Sequence, residues 1–319
     1  MRENNSATIP QTIAIPTPGA VIPGATSPAG TAPAPRRGRG GVLCAAAGVL
    51  AFSLTFPSTV WGLEGFGPWS LIALRSLLAG VLAAGCLAAA RVAPPAREHR
   101  FGLLAVAAGV VVGFPLLTTL ALRSTTTSHA AVVVGLLPLT TAACAAWRTG
   151  VRPSRTFWTA ALVGAALVLA LALAQGGGAP TGADGLLFAA LLLCAFGYTE
   201  GGRLARLMPG WQVIGWALVA CLPLSALGAV LALSVEPVSW NAHGVLGLLW
   251  AAAGSTFLGL WVWYRGMAEI GPARAGQFQL AQPLLTVGWS VLLLGESPSP
   301  AVPLVACGVL VCIAVTQRR

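Results

Sequence analysis

Charged side chains are scarce in this sequence, and an arginine and a glutamate within long apolar runs are the first candidates for chemistry. Arg75 lies in the run 69–90, and Glu200 lies in the run 185–205. A charge within such a run is a functional candidate, because burying an ionised group in a membrane is costly. The guanidinium of Arg75 offers a planar, bidentate contact for a carboxylate. The side chain of Glu200 offers a group that could take up and release a proton.

Each of these side chains also has a plainer interpretation, and the sequence leaves both open. Arg75 follows Trp69 by six residues, so it could snorkel to nearby headgroups or tie helices together. Glu200 precedes Arg203 by three residues, the spacing at which two side chains pair along one helix. Tyr198 could line a cavity or pack between helices.

Amides and prolines within the apolar runs form a second group of candidates. Gln279 and Gln282 share a helix face directly before Pro283. A proline within a span frees helix carbonyls that a solute or a neighbouring helix can use. Kinked helices joined by polar contacts are the alternative explanation. The predicted cavity candidates are Arg75, Ser53, Pro57, Pro138, Tyr198, Gln279, Gln282 and Pro283, and Glu200 with Arg203 is predicted to be a coupling site or an ion pair.

The composition indicates that these residues are held by membrane-spanning helices. Hydrophobic residues make up 56% of the 319 residues, and only 8% are charged, against about 25% in a typical soluble domain. Too little charge remains to cover a soluble fold of this size, so lipid must replace water over most of the surface. The formal charge of +10 comes from arginines scattered between apolar runs, which argues against nucleic-acid binding.

Ten apolar runs are long enough to cross a bilayer, which takes about 20 residues. The predicted spans are 42–62, 69–90, 102–122, 129–148, 157–174, 185–205, 211–233, 243–265, 273–294 and 300–316. With a cytoplasmic amino terminus, all arginines except Arg75 and Arg123 fall on the cytoplasmic side. This asymmetry predicts a plasma-membrane protein with both termini cytoplasmic.

The chain also contains an internal repeat. Placing Pro138 on Pro283 shifts the sequence by 145 residues and also places Gly150 on Gly295. Each repeat then holds five spans, and an odd number inverts the second repeat in the membrane. The predicted fold is an all-α polytopic membrane protein with ten transmembrane helices in two inverted five-helix repeats. Residues 1–40 are predicted to be a disordered cytoplasmic tail, residues 41–175 the first repeat and residues 184–317 the second.

Three stretches resemble the EamA-type branch of the drug/metabolite transporter superfamily. They are PWSLIALRSLLAG at 68–80, ALRSTTTSHAAVVVGLLPLTTA at 121–142, and GSTFLGLWVWYRGMAEIGPARAGQFQLAQPLLTVGWSVLLLGES at 254–297. The resemblance extends over about residues 40–317 and implies a ten-helix fold with a central cavity and metabolite export or exchange. One departure is that the first repeat has Gly150-Val151 where the family usually has Gly-Glu, whereas the second has Gly295-Glu296.

The predicted function is secondary transport of a small metabolite, amino-acid-like or another small organic solute, by alternating access and in the direction of export. A polyspecific exporter of apolar drugs is the alternative, and a membrane enzyme or a non-transporting membrane protein is the remaining one. The sequence has no HExxH, GxSxG or P-loop motif, and its seven cysteines lie in apolar runs without metal-ligand spacing. We therefore predict no catalytic residues, no metal and no cofactor.

Overall fold

The structure, a computed structural model, describes residues 39–150, 154–175, 179–270, 278–279 and 281–317. Within these ranges the chain forms ten helices, α1–α10, and no strand. Their bounds are Arg39–Gly65, Pro68–Ala89, Arg97–Ala121, Thr127–Arg148, Arg155–Ala174, Gly182–Leu204, Gly210–Val235, Ala242–Gly266, Gln282–Leu294 and Ala301–Gln317. The predicted tail falls outside the described residues except for its last two, which begin α1.

Eight of these helices are long and apolar enough to span a bilayer. The other two, α9 and α10, are shorter apolar helices. The predicted ninth span, 273–294, begins in residues that the structure does not describe. The all-helical, ten-span prediction is confirmed, and the chain is a multi-pass membrane protein.

The internal repeat is visible in the backbone at the predicted shift. The segments Leu137–Thr149 and Gln282–Leu294 each contain 13 residues, and each has proline in its first turn. Each is followed by a glycine in the left-handed conformation, Gly150 at φ 71° and Gly295 at φ 65°. Glycine adopts this conformation without strain because it has no Cβ, and it ends a helix there.

The packing of the helices also reflects the internal repeat. The central pair is α2 and α7. Helix α4 likewise packs on α9, and α5 packs on α10, so each of these helices contacts the helix at the equivalent position of the other repeat. The contact of α1 with α8 is repeated by the contact of α6 with α3. Every one of these pairs joins the first repeat to the second, so the interface between repeats runs through the whole bundle.

Several helices are irregular near their middles. Helix α1 is interrupted at Leu54, and α4 is interrupted between Val134 and Leu137. The third helix of each repeat contains a π-helical segment, Ala107–Gly113 in α3 and Trp250–Gly259 in α8. Such segments widen the helix and shift side chains out of the regular register, and they are frequent at functional sites.

With ten spans, α1 begins and α10 ends at the same end of the bundle, which we call the termini face. The other end is the opposite face. At the opposite face α1 and α8 meet through glycines, because a Cβ on Gly247 would lie 2.4 Å from the backbone of Ser58 and Gly62. A Cβ on Gly244 would lie 2.7 Å from Gly65. The two helices therefore close tightly there.

Candidate functional site

A cavity lies between the two repeats, at the level where the helices are irregular. The empty space between its walls, counted together with the part that is open to solvent, is about 880 Å³. Helices α1–α4 of the first repeat and α6, α8, α9 and α10 of the second repeat contribute its walls. Most lining side chains are apolar, and three of them are phenyl rings: Phe52, Phe56 and Phe114.

Arg75 projects from α2 into this cavity and is 5% exposed. Its Nε donates a hydrogen bond of 2.8 Å to Oγ1 of Thr256, in the π-helical segment of α8. Thr256 in turn donates to the backbone oxygen of Ala251, five residues earlier. The wide turn therefore positions Thr256 to orient Arg75 across the interface between repeats.

No carboxylate pairs with Arg75 among the residues that the structure describes. The acidic residues in those ranges all have other partners. These are Glu64 with His243, Glu98 with His99, Asp184 with His129, Glu200 with Arg148 and Arg203, Glu236 with α2, Glu269 with Arg265, and Glu296 with α4. A buried guanidinium without a counter-charge is costly in a bilayer, by about 2.5–3.5 kcal/mol on insertion scales. This cost favours an anionic ligand beside it.

Hydroxyl groups in the cavity wall are engaged with the protein. Thr55 of α1 and Ser255 of α8 share a hydrogen bond of 2.6 Å. Thr286 of α9 donates to the backbone oxygen of Ser53, where α1 is interrupted. These contacts hold the broken helices in place. The hydroxyl donor of Thr286 is used within the protein, and the bond between Thr55 and Ser255 uses one of their two hydroxyl donors.

The structure brings six of the eight sequence-predicted cavity residues together. Arg75, Pro138, Tyr198, Gln279, Gln282 and Pro283 all line the cavity. Ser53 and Pro57 do not line it. Ser53 lies behind the wall, where its carbonyl accepts from Thr286 and its hydroxyl accepts from the indole of Trp289. Pro57 is buried in the second part of α1.

Glu200 lies outside the cavity lining and forms a three-residue ion cluster near the termini face. Its side chain is completely buried, and its two carboxylate oxygens each accept from an arginine at 2.9 Å, Arg148 of α4 and Arg203 of α6. The cluster joins the first repeat to the second. The sequence indicated Arg203 but not Arg148, which is 52 residues away along the chain.

At the opposite face, two carboxylates bind the starts of helices in the other repeat. Glu236, after α7, accepts from the backbone N–H groups of Trp69 and Ser70 in α2. Glu296, after α9, accepts from the N–H groups of Thr127 and Ser128 in α4. Carboxylates at helix N-termini satisfy free N–H groups and interact favourably with the helix dipole.

A buried hydrogen bond between a histidine and a carboxylate lies beside these caps. His129 of α4 and Asp184 of α6 are both nearly inaccessible, and Nε2 of His129 lies 2.7 Å from Oδ1 of Asp184. Asp184 also accepts from the backbone and hydroxyl of Thr181, which closes a capping box at the start of α6. Helix α4 is thus tied to α6 at both of its ends.

Sequence reasoning missed the partner of Arg75 and most of the apolar wall. Thr256 gave no signal, because threonines are common in spans and this one lies 181 residues from Arg75. The phenylalanines were indistinguishable from lipid-facing residues. Within the described part of the chain, no cluster of three or more His, Cys, Asp or Glu could hold a metal ion.

An all-helical bundle of two five-helix repeats around a central cavity defines a class of membrane transport proteins. The model of the EamA-like transporter family matches residues 39–173 and again residues 181–317. The uncharacterized transporter YdeK of Bacillus subtilis (strain 168) is 43% identical over 274 residues, which is 85% of this chain and 94% of that protein. An uncharacterized transporter of Haemophilus influenzae is 34% identical over 62 residues, or 19% of this chain and 36% of that protein.

One solved crystal structure superposes with a TM-score of 0.63 at 22% identity, over 87% of this chain and 98% of that chain, and shows the fold alone. The chain belongs to the EamA-like transporter family, within the drug/metabolite transporter superfamily. It is a membrane transporter and not an enzyme.

Proposed function

We propose that this protein exports a small metabolite, amino-acid-like or another small organic solute, by alternating access of the central cavity. The observation that carries the proposal is the position of Arg75, a buried cation in a cavity walled by both repeats, with no carboxylate partner among the described residues. A site between two inverted repeats becomes accessible from either side when one repeat rocks against the other.

The proposed orientation places both termini in the cytoplasm and the protein in the plasma membrane. The termini face carries arginine clusters such as Arg97 with Arg100 and Arg203 with Arg206. The opposite face carries Glu64 at the end of α1, Glu236 after α7 and Glu296 after α9. Positive residues are retained on the cytoplasmic side of membranes, so the termini face is the cytoplasmic one in this proposal.

The conformation described here supports a closed opposite face. Close glycine contacts join α1 to α8, and Glu236 and Glu296 hold the starts of α2 and α4. Each of these contacts links the two repeats. In the proposed cycle they break when the cavity opens to the opposite face and form again when it closes.

An efflux screen tests this proposal. Cells with and without the protein are loaded with amino acids and other small metabolites, and the appearance of each solute outside is followed by mass spectrometry. We expect faster efflux of at least one solute with the wild-type protein. Arg75→Ala should abolish this efflux at equal membrane levels, whereas Leu162→Ala, at an exposed position of α5, should not. Equal efflux from cells with and without the protein would contradict the proposal.

A polyspecific exporter of apolar drugs is the second candidate, and the apolar majority of the cavity lining favours it. In that case Arg75 would have a structural role. Resistance of cells to a panel of apolar toxic compounds separates the two functions. Resistance that survives Arg75→Ala supports the drug exporter, whereas solute efflux that is lost in Arg75→Ala supports metabolite transport.

A further inference from the structure

We infer that the solute of the proposed transporter is an amphipathic organic anion with one carboxylate and no ammonium group. The inference rests on the proposed function and narrows its substrate class. A free amino acid at neutral pH carries an ammonium group as well as a carboxylate, so the inference excludes free amino acids. It includes acylated or deaminated acids of the same shape. The charge, the polar groups and the apolar walls of the cavity each support it.

The first support is the unbalanced charge of Arg75. Among the described residues Arg75 makes one hydrogen bond, from Nε to Thr256. That contact leaves the far side of the guanidinium fork for a ligand and fixes the plane of the fork. A carboxylate matches this geometry with two parallel N–H···O bonds.

The second support is the lack of a group that would balance an ammonium. No Asp or Glu occurs among the described residues that line the cavity. A bound monoanion makes the sum of its charge and that of Arg75 zero, whereas a zwitterion leaves the site at +1 and a cation raises it to +2. In a low-dielectric cavity the neutral combination avoids the largest cost of burying charge.

The third support is the chemistry of the remaining wall. The hydroxyls of Thr55, Ser255 and Thr286 are bonded within the protein. The amides of Gln279 and Gln282 have no hydrogen-bond partner in the part of the chain that the structure describes, and both line the cavity. They offer donors and acceptors to a neutral polar group on the solute, such as an amide or a hydroxyl.

The apolar part of the wall determines what the rest of the solute must be. Phe52, Phe56 and Phe114 contribute rings, and Leu260 and Ile313 contribute aliphatic groups. A purely polar dianion or polyol would leave these surfaces without apolar contact. A carboxylate on an aromatic or branched aliphatic body matches both the cation and the rings.

A charge series on one apolar body tests the inference. The probes are N-acetyl-L-phenylalanine, L-phenylalanine and L-phenylalaninamide, which carry net charges of about −1, 0 and +1 at neutral pH, because acetylation removes the amine and amidation removes the carboxylate. Binding to the purified full-length protein is measured by isothermal titration calorimetry. The series is repeated with the leucine analogues, so that the size of the ring does not decide the outcome.

We expect the acetylated acid to bind at least tenfold more tightly than the free amino acid in at least one series, and the amide not to bind. Arg75→Gln should remove this preference, and Arg75→Lys should retain part of it. Gly85→Ala, at a site where an added Cβ meets nothing, is the matched control and should bind as the wild type does.

Tighter or equal binding of the zwitterion would overturn the inference while leaving the proposed transport function intact. Failure of both series to bind a protein that remains folded, as judged by thermal unfolding, would also overturn it. The proposed function would fail separately, in the efflux screen, if no solute left the cells faster with the protein than without it.

Discussion

Nε of Arg75 in the first repeat donates a 2.8 Å hydrogen bond to Oγ1 of Thr256 in the second repeat. This bond crosses the interface between the repeats, which the proposed alternating access would rearrange, and it orients the cation that lines the cavity. Thr256 is therefore a positioning residue for Arg75.

Substituting Thr256 tests this role. Thr256→Val keeps the shape of the side chain and removes the acceptor, so Arg75 loses its fixed orientation. A hydrogen bond to a charged group contributes about 1.5–3 kcal/mol, so we expect the Kd for an anionic ligand to rise by roughly 10-fold to 100-fold. Thr256→Ser retains the acceptor and should bind as the wild type does. Equal affinities of all three proteins would show that Thr256 does not position Arg75.

The ion cluster around Glu200 is expected to stabilise the bundle without coupling transport to protons. Its carboxylate is fully buried between Arg148 and Arg203, which are each about half exposed. Because the arginines can regain water, we expect Glu200→Gln to lower the free energy of unfolding by about 1–3 kcal/mol, less than a fully buried pair would cost. Thermal unfolding of the purified protein measures this loss.

The pH dependence of efflux separates stability from coupling for Glu200. A structural cluster predicts that Glu200→Gln reduces the amount of folded protein and leaves the response of efflux to a pH gradient unchanged. Arg148→Gln serves as the matched variant, because it weakens the same cluster while keeping the carboxylate. Loss of the gradient response in Glu200→Gln alone would assign proton coupling to Glu200.

The carboxylate caps at the opposite face are expected to stabilise its closed form. Glu296 accepts from two backbone N–H groups of α4 and from the hydroxyl of Ser128. Glu296→Ala should cost about 0.5–2 kcal/mol, the usual range for loss of a helix cap. In a protein that carries Gln282→Cys in the cavity wall, we expect Glu296→Ala to speed the reaction of this cysteine with a thiol reagent added at the opposite face. The reaction is measured by mass spectrometry. Glu98→Ala, which removes an exposed carboxylate that pairs with the adjacent His99, is the control.

The glycine contact between α1 and α8 is expected to tolerate no side chain. A Cβ on Gly247 would lie 2.4 Å from the backbone of Gly62, which cannot move as a side chain end can. Overpacking of this kind costs about 1–3 kcal/mol. Gly247→Ala should lower the unfolding temperature, whereas Gly288→Ala, where an added Cβ meets nothing within 4 Å, should not. If Gly247→Ala unfolds at the same temperature as the wild type, α1 and α8 can move apart without loss of stability.

The pattern of apolar runs and of the turn residues between them was enough to predict the fold from the sequence. Apolar runs long enough to cross a bilayer and the turn residues between them set the helices. The alignment of the two repeats was fixed to a single residue by two matched pairs, Pro138 with Pro283 and Gly150 with Gly295. Proline is favoured in the first turn of a helix and glycine directly after its last turn, so these residues mark equivalent positions. These are local rules that act within a few residues.

The site was only partly predictable, because its contacts depend on how distant helices pack. Burying an arginine in a membrane is costly in free energy, so an arginine within an apolar run is a functional candidate. Arg75 could therefore be found from the sequence. Its acceptor Thr256 depends on a π-helical segment in another repeat. Glu296 directly follows α9, but its partners lie in α4, 168 or more residues earlier in the sequence.

The central claim is that the cavity between the repeats is reached from both sides of the membrane in turn. Gln282→Cys, in a protein whose seven native cysteines are replaced by alanine, places one thiol in the cavity wall. A membrane-impermeant maleimide is applied to right-side-out and to inside-out vesicles, and labelling is quantified by mass spectrometry. Leu162→Cys, on the exposed surface of α5, is the control and should stay unlabelled. Labelling of residue 282 from both sides is the predicted result, and labelling from one side only under all conditions would contradict alternating access.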